Sequence, residues 1–271
     1  MSFSPTFVLL QQEALLAQGS LSIGLTALRN AAHPDIAAFY QGFFNISIAF
    51  ERLMKLVVVT DHMLQHTFSA PSKAELKTYG HNLVSLYASC ISAAERINIS
   101  NVATPITGSI EDEILQLFSN FAIHSRYYNL DALNIKPELN SDPLGCWHFI
   151  LNKVLDNDVP KTKVHAEVAR AKASHDMVSE HTYAIQHGMD GTQLPLDQSF
   201  IQAALHALAT PYVMVRVFRL LAPLLKIVDQ IGRKGFHESP REVGIQVPLF
   251  GEFFNRFHGT DAEIRRKKRW P

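Results

Sequence analysis

Residues 35–66 read DIAAFYQGFFNISIAFERLMKLVVVTDHMLQH. Phe39, Phe43, Ile46, Phe50, Leu53, Leu56, Val57 and Leu64 recur there at intervals of three and four, which places them on one face of a long α-helix. The helix begins near Pro34-Asp35, because a proline drives the residue before it out of the α region and so ends the preceding segment at His33.

Outward from this helix the same period recurs on both sides. On the N-terminal side, Leu9, Leu10, Leu15, Leu16, Leu21, Leu25 and Leu28 form a helical pattern from about Thr6 to Ala32, with Gly19-Ser20 as the candidate break. On the C-terminal side, Ser72 with Glu75 three residues on makes a capping box. It opens a helix read through Leu76, His81, Leu83, Leu86, Tyr87, Cys90 and Ile91 to about Ile97. Ser109 caps a fourth helix, carried by Ile114, Leu117, Phe118, Phe121, Tyr128 and Ala132 and read as far as Asn134.

Beyond it, Ser141-Asp-Pro143 opens a helix through Trp147 and Leu151, and a polar helix follows from Lys161 to about His181. Gly188 to Pro195 has the composition of a loop with room for a short hairpin. A long apolar helix spans Asp197 to Ile231, in which Pro211 and Pro223 each predict a kink or break. From Gly232 the chain alternates glycine, proline and aromatics, and Arg265 to Arg269 form a basic run at an end read as mobile.

Alternating strand patterns are scarce. The expectation is an all-α protein, an antiparallel helical bundle extended by further helices and an irregular basic C-terminus. Its parts are read as 1–34, a core at 35–135, added helices at 136–235, and the irregular segment 236–271.

Composition narrows the function classes. Net charge is zero, so no global field draws the chain to nucleic acid or anionic membrane. Charged residues are 18%, below the roughly 25% of ordinary soluble domains, which fits a large core or an apolar partner contact. The two cysteines, Cys90 and Cys146, lie in unrelated apolar settings and read as buried thiols. Arg216, Arg219, Lys226 and Asp229 interrupt the most apolar stretch, so no membrane span is expected. With no basic leader region at the N-terminus, the expected location is cytoplasmic.

No phosphate-binding loop, dinucleotide fingerprint or nucleophile elbow occurs, and no cofactor is implied. His62 and His66 have ligand spacing, but no glutamate of HExxH type stands between them, so no metal is expected.

Three segments stand out together: Phe43-Phe-Asn-Ile-Ser-Ile-Ala-Phe-Glu-Arg-Leu-Met-Lys55, Tyr79-Gly-His-Asn-Leu83 and Ser125-Arg-Tyr-Tyr-Asn-Leu-Asp131. Their order resembles the HEPN superfamily, helical bundles of toxin–antitoxin, abortive-infection and other defence systems. The likeness covers about residues 35–135. It implies a dimeric four- to five-helix core and, in many members, a metal-independent ribonuclease with an arginine followed after four to six residues by a histidine. Arg126 stands at the arginine position, and no histidine follows it in that window; Arg170 and His175 have the spacing on a different helix.

Beside a small-molecule-binding regulatory bundle, two functions are therefore open. One is RNA or nucleotide binding, with cleavage as an added possibility. The other is a non-catalytic scaffold that forms a homodimer or holds a cognate protein partner. On a continuous fourth helix Asn120, His124, Tyr127 and Asp131 share a face. There Arg126 would pair with phosphate, while His124 shuttles a proton and Asp131 orients it. Asn129, His81, Lys55 and Glu51 complete the candidate set, with Glu51 and Lys55 at ion-pair spacing on the second helix. The same residues also suit an ordinary solvated helix face. Arg216, Arg219, Lys226 and Arg233 form a second candidate basic stripe.

Overall fold

The computed structural model describes residues 3–133, 142–179, 184–240, 242 and 244–271. Helix α1 (Pro5–Asn30) is capped by Ser4, whose hydroxyl accepts from the Phe7 amide. It runs unbroken through Gly19-Ser20. Helix α2 (Ile36–Gln65) is capped by Asp35 and returns antiparallel along α1. The pair closes tightly because glycine meets the neighbouring helix twice. A Cβ on Gly24 would lie 2.7 Å from the Ile46 backbone nitrogen, and one on Gly42 would lie 3.0 Å from Leu28 Cβ. Leu10, Leu21, Leu25 and Leu28 face inward, whereas Leu9, Leu15 and Leu16 face out.

The capping box at Ser72 and Glu75 is present, but its helix is short. α3 (Lys73–Thr78) stops before Gly80, whose φ of +57° leaves the helical region. Asn82 then caps a separate helix, α4 (Leu83–Arg96). The fourth predicted helix is also divided. α5 (Ile110–Ile123) ends at His124, where φ is −127°. A 3-10 turn at Ser125–Tyr127 and the short α6 (Tyr128–Asp131) follow. Asn134 and Ser141 fall outside the described residues.

α7 (Pro143–Asn157) is capped by Asp142, and α8 (Lys161–Asp176) is shorter than its sequence suggests; His181 also lies outside the described residues. The predicted hairpin exists as two-residue strands, β1 (Gln186–His187) and β2 (Gln193–Leu194), paired antiparallel.

The core is organised by α9 (Leu196–Glu238), one 43-residue helix that includes both Pro211 and Pro223. A proline inside a helix costs about 3 kcal/mol. Leu220, Leu221, Leu224 and Leu225, all buried around Pro223, return roughly 1.5–3 kcal/mol each. Burial therefore outweighs the local preference. Past Ile231 the helix continues because Gly232 and Gly235 make a slot for Phe250 and Val247 of the returning chain.

α9 packs against α2, α4, α5, α7 and α8, and a single core cluster extends from Leu10 to Trp270. Phe43, Phe118, Phe121 and Trp147 lock its centre, with Phe43 and Trp147 edge to face at 5.6 Å. Buried side-chain bonds tie the helices together: Ser47 donates to the Phe118 carbonyl at 3.1 Å and Tyr87 to the Leu220 carbonyl at 3.2 Å. α9 is long and apolar enough to cross a bilayer, yet 61% of its most apolar stretch is buried inside the protein, as suits a core helix.

The basic end is docked rather than mobile. α10 (Gly251–Phe254) and α11 (Asp261–Arg266) lead the chain back along α1. There Asn30 donates to the Lys268 carbonyl at 2.8 Å and the Trp270 amide donates to Thr26. The buried Trp270 indole stacks on Phe218 at 5.7 Å.

Candidate functional site

On α2, Phe44, Ile48, Glu51 and Lys55 stand at i, i+4, i+7 and i+11 and form one outward stripe. The Lys55 ammonium donates to Glu51 Oε1 at 2.7 Å, as their spacing predicts. The loop before α4 adds His81, whose Nδ1 lies 3.0 Å from the same oxygen. An ionised carboxylate only accepts, so the imidazole donates. Partial burial pushes the Glu51 carboxyl upward, but the hydrogen bonds from Lys55 and His81 outweigh it and hold it below the ordinary range.

At the other end of the stripe the Arg126 guanidinium lies over the Phe44 ring, 5.5 Å from its centroid. The structure thus brings Glu51, Lys55 and His81 into contact and places Arg126 on the same helix face.

It does not place the remaining candidates on a common helical stripe. The break at His124 rotates Tyr127, Asn129 and Asp131 out of register with Asn120, and the face predicted for a continuous helix does not form. Asn120, His124, Arg126, Tyr127, Asn129 and Asp131 are all exposed. Asn120 opens instead onto a cleft shared with Cys146 and Phe149 of α7. Among the described residues, no hydrogen bond or ion pair joins His124 to Asp131.

The second candidate basic stripe is already occupied. Arg216 bridges Asp158, at 2.6 and 2.8 Å, and Glu111, at 2.9 Å. Arg219 pairs with Asp261, Arg233 with Asp229, and Lys226 donates to the Ser100 carbonyl. These are structural ties between helices and loops. Arg170 pairs with Glu167, while the His175 ring sits against Phe200. Burial pushes both cysteine thiols up, but only Cys90 is buried as expected; Cys146 is half-buried and opens onto the cleft beside Asn120.

A pair of histidines 58 positions apart was not legible in the sequence. His148 Nδ1 on α7 and His206 Nε2 on α9 are 2.9 Å apart, and Asn152 Nδ2 lies 2.9 Å from His148 Nε2. With Asn152 donating, His148 carries its proton on Nδ1 and donates it to His206. His206 is then the Nδ1–H tautomer, and that N–H is buried with no partner among the described residues. Burial, followed by the repulsion of His148 and His33, brings the His206 imidazole down to about 4. Among the described residues, no group of three histidine, cysteine or acidic side chains is arranged to hold a metal.

Comparison of the chain with protein-family models, with curated proteins and with solved structures returns no match.

Proposed function

We propose that this protein is a HEPN-like helical bundle of a defence or toxin–antitoxin-type system that binds RNA along the outer stripe of α2. One observation carries the reading. The three segments behind the resemblance meet on that stripe, with Lys55 and His81 around Glu51 at one end and Arg126 over Phe44 at the other.

Phe44 to Lys55 spans eleven residues of helix, about 16 Å. A guanidinium on an aromatic ring is a surface on which an unstacked base can lie, and Lys55 and Arg126 supply the phosphate contacts. Binding is favoured over cleavage because no histidine follows Arg126 at the motif spacing.

The test is fluorescence anisotropy with labelled single-stranded RNA in EDTA, with the RNA recovered and sized on a gel. Lys55→Glu and Arg126→Glu should each weaken binding about tenfold or more and lower the salt slope by about 0.7 per lost phosphate contact. Fragments that disappear with Arg126→Ala would add ribonuclease activity. No binding at low salt, or equal binding by the folded variants, refutes the proposal.

A second reading, the interaction scaffold, is favoured by α1. Val8, Leu9, Leu15, Leu16 and Ile23 are all exposed on its outward side, an apolar surface suited to a second copy or a partner helix. Light scattering would show a dimer that Leu9→Glu with Leu16→Glu dissolves; a monomer at high concentration excludes the homodimer.

A further inference from the structure

Helix α8 is held in an unusual way. Only Ala171 of its sixteen residues is buried, and the helix adds no fully buried side chain to the core cluster. It leans on α9 across an open cleft of about 640 Å³, a volume in the range of small-molecule sites.

Three cations from distant parts of the chain line this cleft: Lys163 and Arg170 from α8, and Arg265 from α11. Glu167 is the one carboxylate in the lining, so the cleft carries an excess of two positive charges. Tyr212 stands among them, with Lys163 Nζ 3.5 Å from its hydroxyl and the Arg265 guanidinium over its ring at 5.2 Å. Ala204, Ala207, Leu208 and Pro211 supply an apolar floor beside the charges.

We propose that the cleft between α8, α9 and α11 binds a nucleoside phosphate. Lys163, Arg170 and Arg265 would take the phosphates, and Tyr212 with the apolar floor would take the flat ring. The argument is one of charge and shape. Among the described residues neither Lys163 nor Arg265 has a carboxylate partner, and a low-dielectric wall focuses their field into the cleft. Arg170 is held by Glu167 through one terminal nitrogen, and among the described residues its remaining N–H groups meet no partner, so that they can bind a phosphate oxygen. Glu167 itself, largely covered, occupies the place of a ligand anion. A bound phosphate would also tie α8, which already packs on α9, to α11. The site lies outside residues 35–135 and does not rest on the α2 reading.

The experiment is calorimetric titration of the full chain with ATP, AMP, pyrophosphate and adenosine at low salt. ATP should bind with a Kd on the order of micromolar, AMP and pyrophosphate more weakly, and adenosine not at all. Lys163→Ala and Arg265→Ala should each weaken ATP about tenfold. Tyr212→Leu should weaken ATP and leave pyrophosphate unchanged. Glu167→Gln removes the competing carboxylate and should tighten ATP several-fold, a gain that a misfolded variant would not produce.

Lys55→Glu and Arg126→Glu should leave ATP binding as it is, which separates this site from the α2 stripe. The proposal is overturned if neither ATP nor pyrophosphate binds, or if the Lys163→Ala, Arg265→Ala double variant, folded by circular dichroism, binds ATP like the parent. Equal affinity for ATP and pyrophosphate, with Tyr212→Leu silent, overturns the nucleoside assignment.

Discussion

His206 makes this fold sensitive to mild acid. The side chain is 3% exposed, its Nε2, which alone could take a second proton, faces the His148 N–H, and among the described residues its Nδ1–H has no partner. Its imidazole is held at about 4, against 6.5 in an unfolded chain. As pH falls through 6.5 the unfolded chain takes up the proton first, so stability intact above that value is lost on the way to about 4. Below about 4 both states are protonated and the loss stops. At about 1.4 kcal/mol per pH unit, the window amounts to about 3 kcal/mol.

The measurement is urea unfolding followed by far-UV circular dichroism, for the parent and for His206→Gln. Carboxylates titrate in both proteins. So does His148, whose burial also lowers its imidazole. Their effects largely cancel in the comparison. The parent should be the more stable at about pH 7.5, and its advantage should shrink by about 3 kcal/mol by about pH 4. A difference that stays constant with pH would show that His206 is not the buried neutral base described above.

Two further perturbations follow from the packing. Arg216→Ala strands two mostly covered carboxylates, Asp158 and Glu111, and should destabilise by about 2–4 kcal/mol in the same urea assay. Arg216→Lys, which keeps the charge but loses the fork, should cost about half of that. Gly24→Ala drives a Cβ to 2.7 Å from the α2 backbone and should lower the melting temperature, although alanine favours helix; Gly19→Ala, with nothing within 4 Å, should raise stability by about 1 kcal/mol. Equal effects at the two glycines would contradict the α1–α2 contact.

What could be read beforehand was whatever is local. α2, the Ser72 capping box and the Glu51–Lys55 pair depend on residues three, four or seven apart, and each is present. The breaks at Gly80 and His124 were missed because apolar periodicity continues across them while the backbone does not. The prolines of α9 misled in the opposite direction, since burial on several faces overrode a local preference. The contact of His81 with Glu51, 30 positions apart, is marked by no spacing. His148 with His206, and Lys163 and Arg170 with Arg265, are joined only by the tertiary fold, and no sequence interval marks them.

The docked C-terminal segment has a kinetic consequence. Its bonds to α1 close a loop of very high sequence separation; Asn30 and Lys268 are 238 positions apart. Closing such a loop in a flexible chain costs about 5 kcal/mol of entropy before any contact repays it. The α1–α2 hairpin needs only a five-residue turn, and the Phe43–Trp147 centre joins shorter separations. The strap of residues 265–271 should therefore settle after the barrier, onto a bundle already formed. Weakening it, as in Trp270→Ala, would speed unfolding while leaving the folding rate nearly unchanged. In this chain the final segment sets how long the native state lasts more than how quickly it is reached.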